Sequence, residues 1–256
     1  MRQLFGKDLK TIRLRARRFD DQARAFKVSE YEVQADRFTS VLDALLTVKE
    51  RQDPTLSLRY SCNMGICGSC AMVINGKPRL ACETNIFSLG TPQITVSPME
   101  AHPLLRDLVT DFDDFFAKHA SVTPWLVRKD MEEKFRAEAE YVQTRSQVDN
   151  FLDYAHCISC GLCVDACPVN NTNPHFVGPQ ALSQAYRYNC DSRDQGERER
   201  LESLDTMDGV WGCEYAGACS RVCPKGVDPA LTIQRLKLDL MAYRLTGRTN
   251  PDKHAK

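Results

Sequence analysis

The 256-residue chain has no excess of charge of either sign, because 34 lysines and arginines balance 34 aspartates and glutamates. This balance gives no indication of nucleic-acid binding or of an acidic tail. No apolar run approaches the roughly 18 residues that a membrane-spanning helix needs. The N-terminal sequence also lacks the apolar core of a signal peptide. We therefore expect the chain to stay in the cytoplasm or an equivalent matrix.

Several catalytic and cofactor motifs are also missing. No G-x-G-x-x-G follows a strand pattern, so we do not expect the chain to bind a flavin or a dinucleotide by itself. The five histidines are scattered, and no acid–base constellation for dicarboxylate chemistry is evident. There is no basic patch and no helicase or nuclease motif, which disfavours a structural cluster or zinc site in a nucleic-acid enzyme.

Cysteine is the residue that the sequence has in quantity, with twelve in the chain. In a secreted protein such a number indicates disulfides, but in a reducing compartment it indicates bound metal. The thiolate is a strong, soft ligand for iron and zinc. All the cysteines except Cys190 fall into three ligand sets. We interpret Cys190 as a buried, inert thiol.

The first set is Cys62-x4-Cys67-x2-Cys70-x11-Cys82, the plant-type spacing for a [2Fe–2S] cluster. Glycines between these ligands let the backbone curl so that its amides point at sulfur. Four cysteines can also bind zinc, but zinc ribbons usually pair two short knuckles of the form C-x2–4-C. One triplet followed by a distant single cysteine therefore favours iron–sulfur.

The other two sets have the spacing of a bacterial two-cluster ferredoxin, in which the cysteine before a proline ligates the opposite cluster. Both runs end in Cys-Pro. Exchanging these two ligands predicts two sites: Cys157, Cys160, Cys163 and Cys223 for a [4Fe–4S] cluster, and Cys167, Cys213 and Cys219 for the second cluster.

The second of these clusters lacks its fourth thiolate. Ala216 stands midway between Cys213 and Cys219, where another ligand cysteine is expected. A site with three thiolates favours [3Fe–4S] over [4Fe–4S]. The sequence therefore predicts three different clusters in series, which suits electron transfer. The alternative is that a water or another side chain completes a cube.

The sequence predicts an α+β protein. Residues 1–100 fit a plant-type ferredoxin-like β-grasp domain that carries the [2Fe–2S] cluster. Residues 101–150 fit a helical connector rich in charge. Residues 151–256 fit an all-helical, bacterial two-cluster ferredoxin domain that carries the [4Fe–4S] and [3Fe–4S] clusters.

Apolar periodicity predicts the elements of these domains. In the first domain we expect a hairpin, a helix after Thr39 or Ser40, and a second hairpin turning at Asn75-Gly76. The strands of these hairpins are expected at Leu9–Arg18, Ala25–Ala35, Ala71–Ile74 and Pro78–Ala81, with one more at Gln93–Val96. In the last domain, helices are expected at Ala181–Tyr188, Arg198–Leu204 and Pro229–Leu245.

Four arginines occur within the first predicted strand, at Arg13, Arg15, Arg17 and Arg18. We interpret this run as a solvated strand face, and contact with another subunit is the alternative.

The order of the three sets resembles the iron–sulfur subunit of succinate dehydrogenase and fumarate reductase (respiratory complex II). The sequences SCNMGICGSC, NPHFVGP, RYNCDSRD and CPKGVDPALTIQ are similar to the fumarate reductase branch. The resemblance covers essentially the whole chain and includes alanine at the vacant ligand position.

This resemblance implies an electron-transfer role. Electrons pass between FAD in a partner flavoprotein subunit and a quinone at the membrane-anchor subunits. The [2Fe–2S] cluster lies nearest the flavin, and the [3Fe–4S] cluster lies nearest the quinone. Succinate or fumarate is then handled by the flavoprotein. The subunit is expected to be peripheral on the cytoplasmic face of the plasma membrane, bound through the anchor.

The resemblance also implies residues at the quinone. Family members that use ubiquinone usually carry a tryptophan shortly after Cys-Pro, and none follows Pro168 here, which favours menaquinone. Lys237 aligns with a lysine of the family's quinone pocket, and Pro168 lies on the same side. On the sequence alone, Lys237 also fits a solvated helix lysine. Glu214 replaces a histidine found beside the cluster in some relatives, so no role carries over to it.

A related role in another flavoprotein complex, such as a thiol-linked fumarate reductase, is the alternative. Those relatives usually carry extra cysteine-rich segments downstream, and this sequence shows none.

Overall fold

The structure is a computed structural model that describes residues 9–130, 132, 135 and 140–249. The chain divides into two compact units. The first extends to Phe112 and includes Ile158–Asp165, whereas the second contains Asp113–Cys157 and continues from Ala166. Strands dominate the first unit and helices dominate the second, which confirms the α+β class. The domain boundaries at residues 100 and 150 stay predictions.

A mixed five-stranded sheet forms the framework of the first unit, in the order β2-β1-β5-β3-β4. Strand β1 runs antiparallel to β2 and parallel to β5, and β3 runs antiparallel to both β4 and β5. A short second sheet pairs β6 with β7. The strands are β1 (Lys10–Asp20), β2 (Ala25–Ala35), β3 (Ala71–Ile74), β4 (Lys77–Leu80), β5 (Gln93–Ser97), β6 (Leu104–Arg106) and β7 (Val109–Thr110).

Local sequence explains these elements. Ile12, Leu14 and Ala16 alternate along β1 and are buried, as expected for a strand with one face on a core. Helix α1 (Val41–Arg51) begins after Ser40. The Ser40 hydroxyl accepts a hydrogen bond from the backbone amide of Asp43, and the Asp43 carboxylate accepts one from the backbone amide of Ser40. This reciprocal capping satisfies two donors at the helix start that would otherwise lack partners.

The second hairpin positions a cysteine. Asn75 and Gly76 both have positive φ angles, 48° and 74°, as a type I′ turn requires. The turn places Ala71 opposite Leu80 across β3 and β4. The ends of the two strands are thereby brought together at the loop that carries the first ligand set.

Helices make up the second unit around one apolar core. Helix α7 is its centre, because most of its residues are buried, and α10 packs against it. The helices are α2 (Asp113–Ser121), α3 (Arg145–Asp149), α4 (Leu152–Ala155), α6 (Pro168–Thr172), α7 (Pro179–Asn189), α8 (Glu197–Leu204), α9 (Ala218–Arg221) and α10 (Pro229–Thr246), while α5 (Leu162–Asp165) belongs to the first unit. The three longer helices predicted here are confirmed within one or two residues at each end.

The stretch predicted as a helical connector is only partly helical, and part of it lies outside the described residues. It contains β6, β7, α2 and α3, whereas residues 122–130 form no regular element. Buried Arg200 holds the backbone there, donating to the carbonyl oxygens of Thr123 at 3.0 Å and Trp125 at 2.9 Å. Asp194 forms an ion pair with Arg200 and also accepts a hydrogen bond from the backbone amide of Val127 at 2.9 Å. This long-range clamp replaces the helical hydrogen bonds that the prediction assumed.

The prediction that the arginine run is a solvated face is wrong for Arg18, which is only 4% exposed. Its guanidinium donates to both carboxylate oxygens of Asp107, at 2.8 and 3.0 Å. It also donates to Asp53 at 2.6 Å. The hydrogen bonds to Asp107 raise the pKa of Arg18 above its ordinary value, and burial, which favours the neutral form, only partly opposes this increase. The sequence did not reveal this because both carboxylates are distant along the chain.

Among the helices that the structure describes, none combines the length and apolarity needed to cross a bilayer.

We expect Arg18→Met to lower the free energy of unfolding by about 3 kcal/mol, because it leaves a buried carboxylate without its cation. Urea denaturation of the purified protein, followed by far-UV circular dichroism, measures this change.

Arg17→Met is the matched control. Arg17 pairs with Glu100, but the side chains are 40% and 57% exposed, so we expect a loss of less than about 1 kcal/mol. Equal losses in the two variants would show that the Arg18 network does not stabilise the fold.

Candidate metal centres

The first ligand set is gathered at one end of the second hairpin. Cys70 directly precedes β3, and Cys82 follows β4 two residues after its end. Because the strands are paired, the amide of Cys82 lies 3.5 Å from the Cys70 sulfur. Cys62 and Cys67 lie in the preceding loop, where the amide of Cys67 is 3.3 Å from the Cys62 sulfur. The hairpin thus brings the distant fourth cysteine to the triplet.

Backbone amides surround the Cys62 sulfur. The amides of Met64, Ile66 and Cys67 donate to it at 3.5, 3.3 and 3.3 Å. These donors favour the thiolate and lower the pKa of Cys62 to about 6. Gly65, with a φ angle of 69°, lets the chain turn so that the amides converge. The loop is therefore built to stabilise negative charge on sulfur.

Cys70 has the opposite environment. Burial raises the pKa of its thiol to about 12. A bare thiolate is costly at such a position, whereas a bound cation offsets the charge and favours deprotonation. A cluster with two irons gives each thiolate such a cation, so the donor set of this loop fits [2Fe–2S].

The second predicted set is divided between the two units. The first unit contains Cys160 and Cys163, on the segment that includes α5. A side chain at Gly68 would clash there, since an added Cβ would lie 2.8 Å from the Cβ of Cys160. The second unit contains Cys157 and Cys223. Ligation of one [4Fe–4S] cluster by these four residues stays a prediction from their spacing.

The third set lines one small cavity in the second unit. Cys167, Cys213 and Cys219 all contribute to its wall, and Ala216 and Glu214 do so as well. Burial raises the pKa of Cys167, and it raises that of Cys219 to about 11. The structure thus collects the three predicted ligands around one cavity together with Ala216, which stands at the position where the sequence predicts a missing fourth ligand.

Within the described residues, no three His, Cys, Asp or Glu side chains lie close enough to share a single metal ion. In an iron–sulfur cluster at most two cysteine thiolates bind any one iron, so its ligands need not converge on a single point as three ligands of one ion do.

Both residues predicted at a quinone lie beside the third set. Pro168 lines the same cavity and is the first residue of α6. Lys237 lies on α10, and its ammonium group donates to the carbonyl oxygen of Cys213 at 2.7 Å. Lys237 is therefore not simply a solvated lysine, because it contacts the backbone of a predicted ligand.

Sequence reasoning missed two glutamines that contact predicted ligands. The Nε2 atom of Gln234 lies 3.8 Å from the Cys213 sulfur, and that of Gln180 lies 3.9 Å from the Cys157 sulfur. Gln180 is 2% exposed. A glutamine at a buried helical position is a signal that could have identified it, because a buried amide needs hydrogen-bond partners.

Comparison with protein-family models gives one match to each half of the chain. Residues 13–117 match a 2Fe-2S iron-sulfur cluster binding domain. Residues 153–227 match a 4Fe-4S dicluster domain. Binding domains for these two cluster types are thus present, in the predicted order.

Curated relatives of this chain include iron–sulfur subunits of fumarate reductase and of succinate dehydrogenase. A fumarate reductase iron-sulfur subunit from Mycobacterium tuberculosis is 49% identical over 215 residues, which span 84% of this chain and 86% of the relative. A fumarate reductase iron-sulfur subunit from Escherichia coli O6:H1 is 42% identical, over 82% and 84% of the two chains. A mitochondrial succinate dehydrogenase [ubiquinone] iron-sulfur subunit 1 from Oryza sativa is 39% identical, over 83% and 76%.

A solved structure supports the same conclusion. The chain superposes with a TM-score of 0.83 and 27% identity on a chain of the Mycobacterium smegmatis Sdh1 complex in the apo form, covering 95% of this chain and 99% of the other. With relatives of this identity and coverage, the chain belongs to the family of fumarate reductase and succinate dehydrogenase iron–sulfur subunits.

Proposed function

We propose that the chain relays electrons between FAD in a partner flavoprotein and menaquinone at membrane-anchor subunits, within an enzyme that interconverts succinate and fumarate. The observation that carries the proposal is the cavity where Cys167, Cys213 and Cys219 meet with Ala216 in place of a fourth ligand. Three thiolates there fit a [3Fe–4S] cluster, the third member of the predicted series.

The protein's own residues hold and insulate the redox groups. Cys62, Cys67, Cys70 and Cys82 are the proposed ligands of [2Fe–2S], with Cys157, Cys160, Cys163 and Cys223 for [4Fe–4S] and Cys167, Cys213 and Cys219 for [3Fe–4S]. When bound, such clusters supply one-electron transfer. The amides aimed at Cys62 and the burial of Cys70 adjust the potential of the [2Fe–2S] cluster, and the burial of Cys219 adjusts that of the [3Fe–4S] cluster.

The exposed surface of α10 beside Lys237 is suited to contact with an apolar partner. This helix buries one face in the core, yet a second apolar stripe is exposed: Leu231 (36%), Leu238 (61%), Met241 (42%) and Leu245 (86%). Exposed apolar stripes of this kind indicate a contact surface. We assign the contact to the membrane anchor, with Lys237 and Pro168 facing the quinone. The subunit is then peripheral, on the cytoplasmic face of the plasma membrane.

Low-temperature EPR of the natively purified complex tests the proposal, in air and after addition of succinate. We expect an oxidised [3Fe–4S] signal that succinate removes, as a reduced [2Fe–2S] signal appears. If dithionite removes the signal but succinate does not, the electron donor is another flavoprotein, such as that of a thiol-linked fumarate reductase. Absence of any [3Fe–4S] signal contradicts the ligand set around Ala216.

We expect Ala216→Cys to convert the [3Fe–4S] cluster to [4Fe–4S] and to lower its potential, because the new thiolate supplies the missing ligand. Loss of the oxidised-state EPR signal measures the conversion. Ala216→Ser is the control, since it adds a side chain of similar size without a thiol. A signal that persists unchanged in Ala216→Cys would be evidence against the assignment.

We expect Lys237→Ala to reduce quinone-linked turnover at least about tenfold while dye-linked succinate oxidation is retained, because only the quinone step needs this cation. Lys237→Arg keeps the charge and is expected to retain more activity. Since Lys237 also contacts Cys213, the [3Fe–4S] EPR signal must be intact in the variant. Equal loss in the quinone and dye assays would assign Lys237 a structural role.

A further inference from the structure

Gln180 connects a predicted cluster ligand to a histidine inside the second unit. It is the second residue of α7. Its Nε2 atom lies 3.9 Å from the Cys157 sulfur and 3.1 Å from Nδ1 of His119, a residue of α2. The glutamine side chain is almost completely buried, at 2% exposure. One buried amide group therefore contacts both a sulfur and an imidazole.

The chemistry of the partners fixes the orientation of this amide. A thiolate only accepts hydrogen bonds, so the end of the Gln180 amide that faces Cys157 must be the NH₂ group. Its second N–H then points to Nδ1 of His119, which must accept and carry its own proton on Nε2. Burial lowers the pKa of His119, which favours the neutral ring that this arrangement requires.

We propose that Gln180 is a positioning residue for Cys157, donating an N–H to its sulfur and raising the reduction potential of the cluster that this ligand holds, with His119 keeping the amide in the donating orientation. The inference rests on the proposed assignment of Cys157 to the [4Fe–4S] cluster. Gln180 would then influence the reduction potential of the [4Fe–4S] cluster, an effect that the spacing of the cysteines does not predict.

The direction of the effect follows from charge. Reduction places an additional electron on the cluster and makes its thiolates stronger acceptors. A hydrogen bond to sulfur therefore stabilises the reduced state more than the oxidised state. In the proposed series this cluster lies between the other two. The Gln180 amide thus makes electron entry to the middle of the relay more favourable.

The test is an EPR-monitored redox titration of the assembled complex with Gln180→Met, which keeps the side-chain volume and removes the donor. At a fixed poise, we expect the ratio of reduced to oxidised [4Fe–4S] to fall by up to about tenfold, equivalent to about 59 mV for a one-electron centre. The [2Fe–2S] potential should not change. An unchanged [4Fe–4S] potential would overturn the proposal.

Gln184→Met is the matched control. Gln184 lies one turn later on α7, is also buried at 8% exposure, and donates to the carbonyl oxygen of Tyr154 at 3.1 Å. Both variants lose a buried amide from the same helix, but only Gln180 contacts a sulfur. If Gln184→Met shifts the [4Fe–4S] potential equally, the effect is general repacking and the proposal fails.

His119 is tested by two substitutions. His119→Leu removes the acceptor, so we expect part of the shift seen in Gln180→Met. His119→Asn supplies a side-chain oxygen close to the position of Nδ1, and we expect it to restore the potential towards that of the unmodified complex. Failure of His119→Leu to move the potential would show that the histidine does not hold the amide.

Cys157→Ser separates this inference from the proposed ligand set. If this variant leaves the [4Fe–4S] signal unaltered, Cys157 is not a ligand, and both the assignment and the inference fail. If it alters the signal while Gln180→Met leaves the potential unchanged, the assignment stands and only the role of Gln180 is wrong.

Discussion

The structure depends on one electrostatic constraint, which is that negative charge on the predicted ligand sulfurs must be stabilised, whether the cysteine is buried, as Cys70 is, or exposed, as Cys67 is. Burial raises the pKa of Cys70 and Cys219, whereas amide donors lower the pKa of Cys62. Both conditions influence a cluster site, since burial limits solvent access and hydrogen-bond donors to sulfur adjust the potential. Much of the local architecture follows from this requirement, including the glycines of the first loop and the hairpin that delivers Cys82.

The two units meet this requirement with different donors. In the first unit the loop around Cys62 is free of regular structure, so its backbone amides can turn towards sulfur. In the second unit many amides are committed to helical hydrogen bonds. Backbone donors still contribute, as at Cys223, but the side-chain amides of Gln180 and Gln234 add to them. Side chains of this kind can vary without changing the cysteine spacing.

Buried arginine–aspartate pairs hold irregular segments of the chain in both units. Arg18 ties β1 to Asp107 in the first unit, and Arg200 with Asp194 secures residues 122–130 in the second. Compared with well-packed apolar residues, such pairs add little net stability, because desolvation offsets much of the attraction, but removal of one partner is costly because it leaves the other charge buried and unpaired. Their contribution is geometric, since each guanidinium fixes several carbonyl or carboxylate oxygens at once.

The sequence by itself determined the two types of cluster-binding domain, the two hairpins, the helix start at Thr39 or Ser40 and the main helices, because each of these depends on neighbouring residues and on local spacing. Only the tertiary structure decided that Arg18 is buried and that Gln180 reaches a sulfur. It also decided that residues 122–130 are clamped by Arg200. These contacts join residues far apart in the chain, such as Arg18 and Asp107 at a separation of 89 positions, or His119 and Gln180 at 61. Local patterns do not encode which distant partner will neutralise a charge or accept a hydrogen bond, because packing makes that choice.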